Sequence, residues 1–342
     1  VSRERIVSGE IISPEEETFI LSLRPKKLNE YIGQSELKEK LRVSVEAARQ
    51  RGEACEHTLF YGPPGLGKTT LAHIIANEME SSLVATSGPS LSRTGDLMGI
   101  LTNLKEGDIL FIDEIHRLSP AIEEFIYPAM EDFKVDFVVD KGAFAKVINI
   151  PLKRFTLIGA TTRAGLLSPP LRDRFGLYYH IDFYPPEELK EIVIRSAGLL
   201  EVEIDDESAL EVARRSRGTP RVANRLLRRV RDFVQVKGNG IINLDLAEKA
   251  LDAEGIDSIG LDNLDRKFLK VIIDYYKGGP VGIEALGATL SEEIDTLVDV
   301  VEPYLLKIGF LQRTKRGRMV SQDAVRHLGL KIDDSDQQNL FG

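Results

Sequence analysis

The chain has 342 residues, 42% hydrophobic and 29% charged, enough for two or three soluble domains with ordinary cores. Its one cysteine, Cys55, excludes an intramolecular disulfide and a thiolate metal cluster, and no apolar run approaches the roughly 20 residues of a membrane helix. A formal net charge of −9 excludes a surface that coats nucleic acid throughout, so any DNA contact must come from a local basic patch.

Residues 1–20 are polar and acidic and are expected to be loosely ordered. From residue 21 to 184 strand and helix signals alternate. His57–Tyr61, Ile109–Ile112 and Phe155–Ala160 are short apolar strands, and a helix is predicted from Thr70 to Met79. Purely apolar strands alternating with helices predict a mostly parallel sheet covered on both faces. Phe133–Val139 and Phe144–Ile150, alternating around Asp140-Lys141-Gly142, predict a β-hairpin inserted between two of these strands. Its apolar residues include Phe137, Val139, Ile148 and Ile150, more than a solvated ribbon needs. Both a partner-contacting ribbon and an ordinary surface hairpin fit them.

Pro185-Pro186 breaks the chain, and residues 185–258 read as a small all-helical unit. Residues 259–330 read as a third unit: a helix over Leu264–Tyr276, a Gly278-Gly279-Pro280 turn, a short helix, a longer helix over Ser291–Ile308, then strand–turn–strand. Residues 331–342 are acidic and polar and are expected to be disordered.

The P-loop pattern G-x-x-x-x-G-K-[ST] is met from Gly62 to Thr69, between a strand and a helix as the chemistry requires. Gly62, Gly65 and Gly67 let backbone N–H groups turn inward around an anion, and the helix N-terminus adds partial positive charge. Lys68 would contact the β- and γ-phosphates of ATP, and the Thr69 hydroxyl would help to hold Mg²⁺. Asp113 and Glu114 end an apolar strand, where open α/β sheets bind ligands. Asp113 would hold Mg²⁺ through water, and Glu114 would orient or deprotonate the attacking water. A third strand ends in Thr161-Thr162-Arg163, where a polar side chain could position that water, although a Thr-rich strand end fits equally. Arg174, on a short helix begun by Ser168-Pro169-Pro170, is a candidate cation for a γ-phosphate, with a surface salt bridge as its alternative. Spacing does not single out Arg221 among nine arginines between Arg195 and Arg231.

Towards the C-terminus, Lys307, Arg313, Lys315, Arg316, Arg318 and Arg326 face only Asp323 in a twenty-residue stretch. A helix–turn–helix followed by a basic-tipped ribbon is the outline of a winged helix, whose arginines would meet phosphates largely without regard to sequence. A solvated basic hairpin is the other reading of the same residues.

Leu-Arg-Pro at 23–25, Tyr31-Ile32-Gly33-Gln34, the P-loop, Ile112-Asp113-Glu114-Ile115-His116-Arg117, Gly159-Ala160-Thr161-Thr162-Arg163, Pro170–Phe175, Gly218-Thr219-Pro220-Arg221 and the arginine-rich wing together resemble the RuvB family. These are bacterial AAA+ ATPases that drive branch migration of Holliday junctions, and the resemblance covers nearly the whole chain. It implies a P-loop α/β domain, an all-α lid and a C-terminal winged helix. It implies that Thr162 is at the sensor-1 position, Arg174 is an arginine finger acting in trans and Arg221 is at sensor 2. Nucleotide contacts are implied at Leu23, Arg24, Thr70, Tyr184 and the stretch Glu131, Asp132 and Phe133, besides the P-loop itself. DNA contacts are implied at Arg313, Arg316 and Arg318. The resemblance further implies a homohexamer on duplex DNA, with RuvA docked on hairpin 133–150 and RuvC as resolving nuclease. The cytoplasm is the expected location, with no membrane contact. A clamp-loader-like ATPase is the alternative, and it would not need the basic wing.

Overall fold

The computed structural model describes residues 21–139 and 146–330. The expectations for the two termini and for the hairpin tip lie outside the described residues. Two compact units are present. Of the described residues, one unit comprises 22–62 and 66–182; the other groups Leu21 and residues 63–65 with residues 183–330.

The first unit is built on five parallel strands in the order β2-β3-β6-β1-β7. They are β1 (Thr58–Tyr61), β2 (Leu83–Ser87), β3 (Ile109–Asp113), β6 (Thr156–Thr161) and β7 (Leu177–His180). The central strands β3 and β6 are buried almost end to end, β3 through its apolar run and β6 with Thr156 and Thr161 buried at its two ends. The edge strands β2 and β7 are only partly covered. Helix Ser35–Arg51 closes on Gly52 in the left-handed region, the ordinary glycine C-cap. Leu59, Leu110, Ile112, Leu157, Ile122 and Ile126 lie in one apolar core between the sheet and helix Pro120–Glu131.

Strands β4 (Lys134–Val139) and β5 (Lys146–Pro151) form the antiparallel hairpin, in register from Lys134↔Pro151 to Val139↔Lys146. Its base is anchored: Val135 is fully buried and Ile150 packs against the same core.

The second unit begins with helices Pro186–Leu199, Asp206–Arg214, Pro220–Lys237 and Leu244–Ala253. Two of them are capped by side chains, Asp205 accepting from Ser208 N–H and Asn243 from Leu246 N–H. This region is helical apart from one two-residue parallel pair, β8 (Glu203–Ile204) with β9 (Ile241–Ile242).

Helices Asn263–Tyr276 and Ile283–Leu290 follow, then the ribbon of β10 (Leu311–Thr314) and β11 (Gly317–Val320), around a separate core that includes Phe268, Leu286, Leu305 and Leu311. The long helix expected over Ser291–Ile308 is interrupted. It starts at Ile294, loosens into a π turn over Leu297–Val301 and resumes at Glu302. Pro303 has no N–H to donate to the preceding turn, which accounts for the break. A buried ion pair, Arg217 Nη1 to Asp265 Oδ2 at 2.8 Å, joins the four-helix region to this one. Arg217 also donates to the Val300 carbonyl and lies 4.7 Å from the Tyr304 ring centroid.

Candidate functional site

β6 lies between β1 and β3, with Tyr61 beside Thr161 and Ile112 beside Gly159. Since all three strands run in parallel, the P-loop after β1, Asp113 at the end of β3 and Thr161-Thr162 at the end of β6 emerge at the same edge. The strand spacing sets β1 and β3 about 10 Å apart. Three segments distant in sequence thus meet where a parallel sheet binds ligands.

The P-loop glycines are in the left-handed region, with φ of 145° at Gly62, 81° at Gly65 and 102° at Gly67. At Gly62 a Cβ would lie 2.2 Å from the Ile181 carbonyl oxygen, a backbone atom that has no room to move. At Gly67 it would press on the Tyr31 hydroxyl at 3.2 Å. Lys68 opens helix Lys68–Glu78 and is 8% exposed, and its ammonium donates to the Gly62 carbonyl at 2.8 Å. The lysine is therefore held across the loop it serves. Thr69 and Thr70 follow, half-buried, in the first turn of that helix.

Asp113 Oδ1 accepts the Glu114 N–H at 2.9 Å, which fixes the carboxylate at the strand end. Glu114 has a φ of 47°, an unusual conformation for glutamate, and pairs with Arg117 at 3.1 Å. Thr161 is fully buried and bonded to His116 at 2.9 Å and to the Arg163 N–H, whereas Thr162 is half-buried. The described residues hold no cluster of three or more His, Cys, Asp or Glu that could cage a metal. A carboxylate and a hydroxyl on neighbouring segments suit Mg²⁺, which takes few protein ligands and completes its shell with phosphate and water.

Arg174 lies against its own subunit. It donates to the Pro170 carbonyl at 2.7 Å, pairs with Glu131 at 3.0 Å and sits 4.2 Å from the Tyr127 ring centroid. Asp132 pairs with Lys134, and Phe133 packs edge-on against Phe155 beneath Arg154. Leu23 is buried and Arg24 half-buried. Within the second unit, the Arg221 N–H donates to the Gly65 carbonyl at 3.3 Å and the Tyr184 N–H to the Gly218 carbonyl at 2.9 Å. These two backbone bonds have no counterpart in any sequence spacing.

On the hairpin, Ile148 is 48% exposed while Ile150 is turned inward; the side chains of Phe137 and Val139 lie outside the described residues. On the wing, Arg316 is exposed at the turn. Arg313 and Arg318 are directly opposed across the ribbon and both bind the fully buried Glu302, Arg313 Nε at 2.7 Å and Arg318 Nε at 2.7 Å. Sequence reading missed two residues, Glu302 and Tyr127. The first reads as one acid among many in an acidic helix, and the second as one apolar residue on an amphipathic one. Among the described residues, no helix is long and apolar enough to cross a membrane.

Three family models match end to end. The model for the Holliday junction DNA helicase RuvB P-loop domain matches residues 23–181, that for the RuvB AAA lid domain residues 184–257, and that for the RuvB C-terminal winged helix domain residues 258–329. A Holliday junction branch migration complex subunit RuvB from Desulfosudis oleivorans is 60% identical over 312 residues, 91% of each chain. The solved structure of the Thermotoga maritima RuvB Holliday junction branch migration motor superimposes with a TM-score of 0.84 at 53% identity, covering 91% of this chain and 99% of that one. A Lys-to-Arg variant of the same protein gives 0.85. With its P-loop, lid and winged-helix regions all matched in order, the chain belongs to the RuvB family of P-loop AAA+ ATPases.

Proposed function

We propose that the chain is an ATP-driven DNA motor that moves the crossover of a Holliday junction in recombination and repair. It acts in the cytoplasm as a homohexamer around duplex DNA, with RuvA docked on the hairpin and RuvC as the resolving nuclease of the same complex. The observation that carries this reading is the meeting of the P-loop, Asp113-Glu114 and Thr161-Thr162 on adjacent strand ends, in a chain that also bears a basic ribbon.

Lys68 and the loop N–H groups bind the β- and γ-phosphates of ATP. Thr69 and Asp113 would hold Mg²⁺, whose charge would offset the negative charge that develops on the phosphate oxygens. Thr162 positions the attacking water and Glu114 takes its proton. The water oxygen bonds to the γ-phosphorus, and the β–γ bridging oxygen leaves with its electron pair on ADP. Arg174 reaches the γ-phosphate of the neighbouring subunit, and Arg221 responds to its loss. Leu23, Arg24 and Tyr184 contact the nucleotide. The wing grips phosphates, so force is delivered independently of sequence.

The test is a synthetic four-way junction with RuvA, ATP and Mg²⁺. The crossover moves with the native chain. With Glu114→Gln it stalls, turnover falling about 10²- to 10⁴-fold while ATP stays bound. ATP consumption that never shifts the crossover would overturn the reading. A clamp-loader-like ATPase is not favoured, since all three matched regions are RuvB regions.

A further inference from the structure

We propose that Tyr127 is the positioning residue for Arg174, a flat platform that presents the guanidinium to the neighbouring subunit's triphosphate. The inference rests on the reading above that Arg174 acts in trans.

Tyr127 is on helix Pro120–Glu131, one turn before Glu131, and the guanidinium carbon of Arg174 lies 4.2 Å from its ring centroid. The ring is itself held at its far end. Its hydroxyl donates to Glu123 Oε2 at 3.2 Å and lies 3.2 Å from the Ser168 hydroxyl. Ser168 in turn donates to the same Glu123 oxygen at 2.5 Å. Glu123 is only 8% exposed, so this triangle is sheltered from water. Ser168 is also the N-cap of helix Pro169–Arg172, accepting the Leu171 N–H, and this short helix leads directly to Arg174. One serine therefore ties together the platform and the segment that carries the arginine.

The contacts of Arg174 differ in how easily they give way. The ion pair with Glu131 is to a carboxylate 54% exposed, and such pairs are worth little and are screened by salt. A triphosphate arriving from a neighbour carries more charge and displaces it. The ring contact needs no displacement, because a phosphate can approach the opposite face and edge of a guanidinium stacked on an aromatic ring. Arg174 Nε is buried without a hydrogen-bond partner, so the side chain does not gain all the bonds available to it within its own subunit. Glu131 thus acts as a placeholder and Tyr127 as the permanent support.

The experiment measures ATPase kinetics of full-length Tyr127→Leu and Tyr127→Phe, alone and mixed with Lys68→Ala protein. Losing the ring lowers kcat about 3- to 30-fold with little change in KM, because the nucleotide's own binding loop is untouched. Tyr127→Phe keeps the ring and retains most of the activity that Tyr127→Leu loses. Mixed with Lys68→Ala, whose arginine and platform are intact, Tyr127→Leu recovers activity, which a mere folding defect would not. An Arg174→Ala and Lys68→Ala mixture is run beside it. If that mixture recovers and the Tyr127→Leu mixture does not, the platform role is wrong and action in trans stands. If neither recovers, shared sites and the platform fall together. Wild-type kcat in Tyr127→Leu also overturns the inference. Should Tyr127→Leu lose cooperative unfolding, Tyr127→Met carries the same comparison.

Discussion

Arg313 and Arg318 face each other across the wing ribbon, and one buried carboxylate, Glu302, binds both. Two cations directly opposed on a ribbon repel each other, and Glu302, fully buried beneath them, converts that repulsion into a bridge. Arg318 is the more sequestered, its side chain 18% exposed against 47% for Arg313. Arg318 is therefore part of the wing's architecture, while Arg316 at the turn has its charge in solvent.

The two substitutions should separate. Arg318→Ala leaves Glu302 buried with one partner in place of two and should cost about 3 kcal/mol of stability, the lower end for breaking a buried ion pair. Arg316→Ala should leave the unfolding midpoint in place, weaken duplex binding alike for all sequences and reduce the slope of log affinity against log salt by about 1. Thermal unfolding and binding titrations at several salt concentrations check both. An unchanged midpoint in Arg318→Ala would show that Glu302 is satisfied without it.

The ion pair between Arg217 and Asp265 makes a stronger claim on stability. Arg217 is 3% exposed and Asp265 not at all. Asp265 is also committed to a reciprocal cap, accepting the Asp262 N–H while its own N–H donates to Asp262. Asp265→Asn should cost about 3–5 kcal/mol, because it breaks a buried ion pair and weakens the cap. The double change Arg217→Met with Asp265→Asn should be less damaging than Asp265→Asn alone. Denaturant unfolding of the single and double variants measures the coupling, and additive losses would refute it.

Gly62 is constrained by the strand beside it. Alanine there would place its Cβ 2.2 Å from the Ile181 oxygen and hold a φ of 145° that alanine disfavours. The cost should be at least about 1–3 kcal/mol, and the displaced loop should lose ATP affinity along with it. Gly165 is the control, with nothing within 4 Å of a Cβ; alanine there should change stability by no more than about 0.5 kcal/mol. Calorimetry and nucleotide titration on the pair distinguish a steric role at Gly62 from a general intolerance of substitution.

What could be read in the sequence was what is local. Gly62–Thr69, Asp113-Glu114 and the hairpin strands announce themselves because their chemistry and their residues are contiguous. The edge strands are harder to see: Leu83–Ser87 and Leu177–His180 are only partly covered, whereas β3 and β6 are buried almost throughout. The helix over Ser291–Ile308 carries Pro303, whose missing N–H breaks it, and the expectation of one continuous helix passed over both the break and the buried acid beside it. Glu302 shows why this fails. Its burial is created by the wing folding back over it, a tertiary event that leaves no periodic mark. Spacing does not separate Arg221 from the arginines around it; the family resemblance does, and the structure adds its backbone bond to Gly65. Tyr127 became distinguishable only through the arginine above it.

His57 gives a prediction about pH. It lies immediately before β1, and its two ring nitrogens are both engaged: Nδ1 accepts the Leu157 N–H at 2.9 Å, which leaves Nε2–H to donate to the Met130 carbonyl at 3.1 Å. Protonating Nδ1 would break the first bond and place a charge among Phe133 and Phe155. Burial accordingly holds the imidazole below its ordinary value of 6.5, outweighing the opposing pull of the Met130 carbonyl. In the unfolded chain the ring titrates near that ordinary value. Acidification therefore protonates the unfolded chain first, so the contribution is complete above about pH 6.5 and is lost as pH falls below it, by up to about 1.4 kcal/mol per pH unit. His57→Gln removes the titration while keeping one donor and one acceptor. It should be the less stable protein at pH 7.5, and the gap to the native chain should close by about 1 kcal/mol by pH 5.5. Because His73 is shared by both proteins, its own burial-lowered titration cancels in the difference. Parallel stability profiles for the two proteins over that range would show that His57 accepts its proton in place.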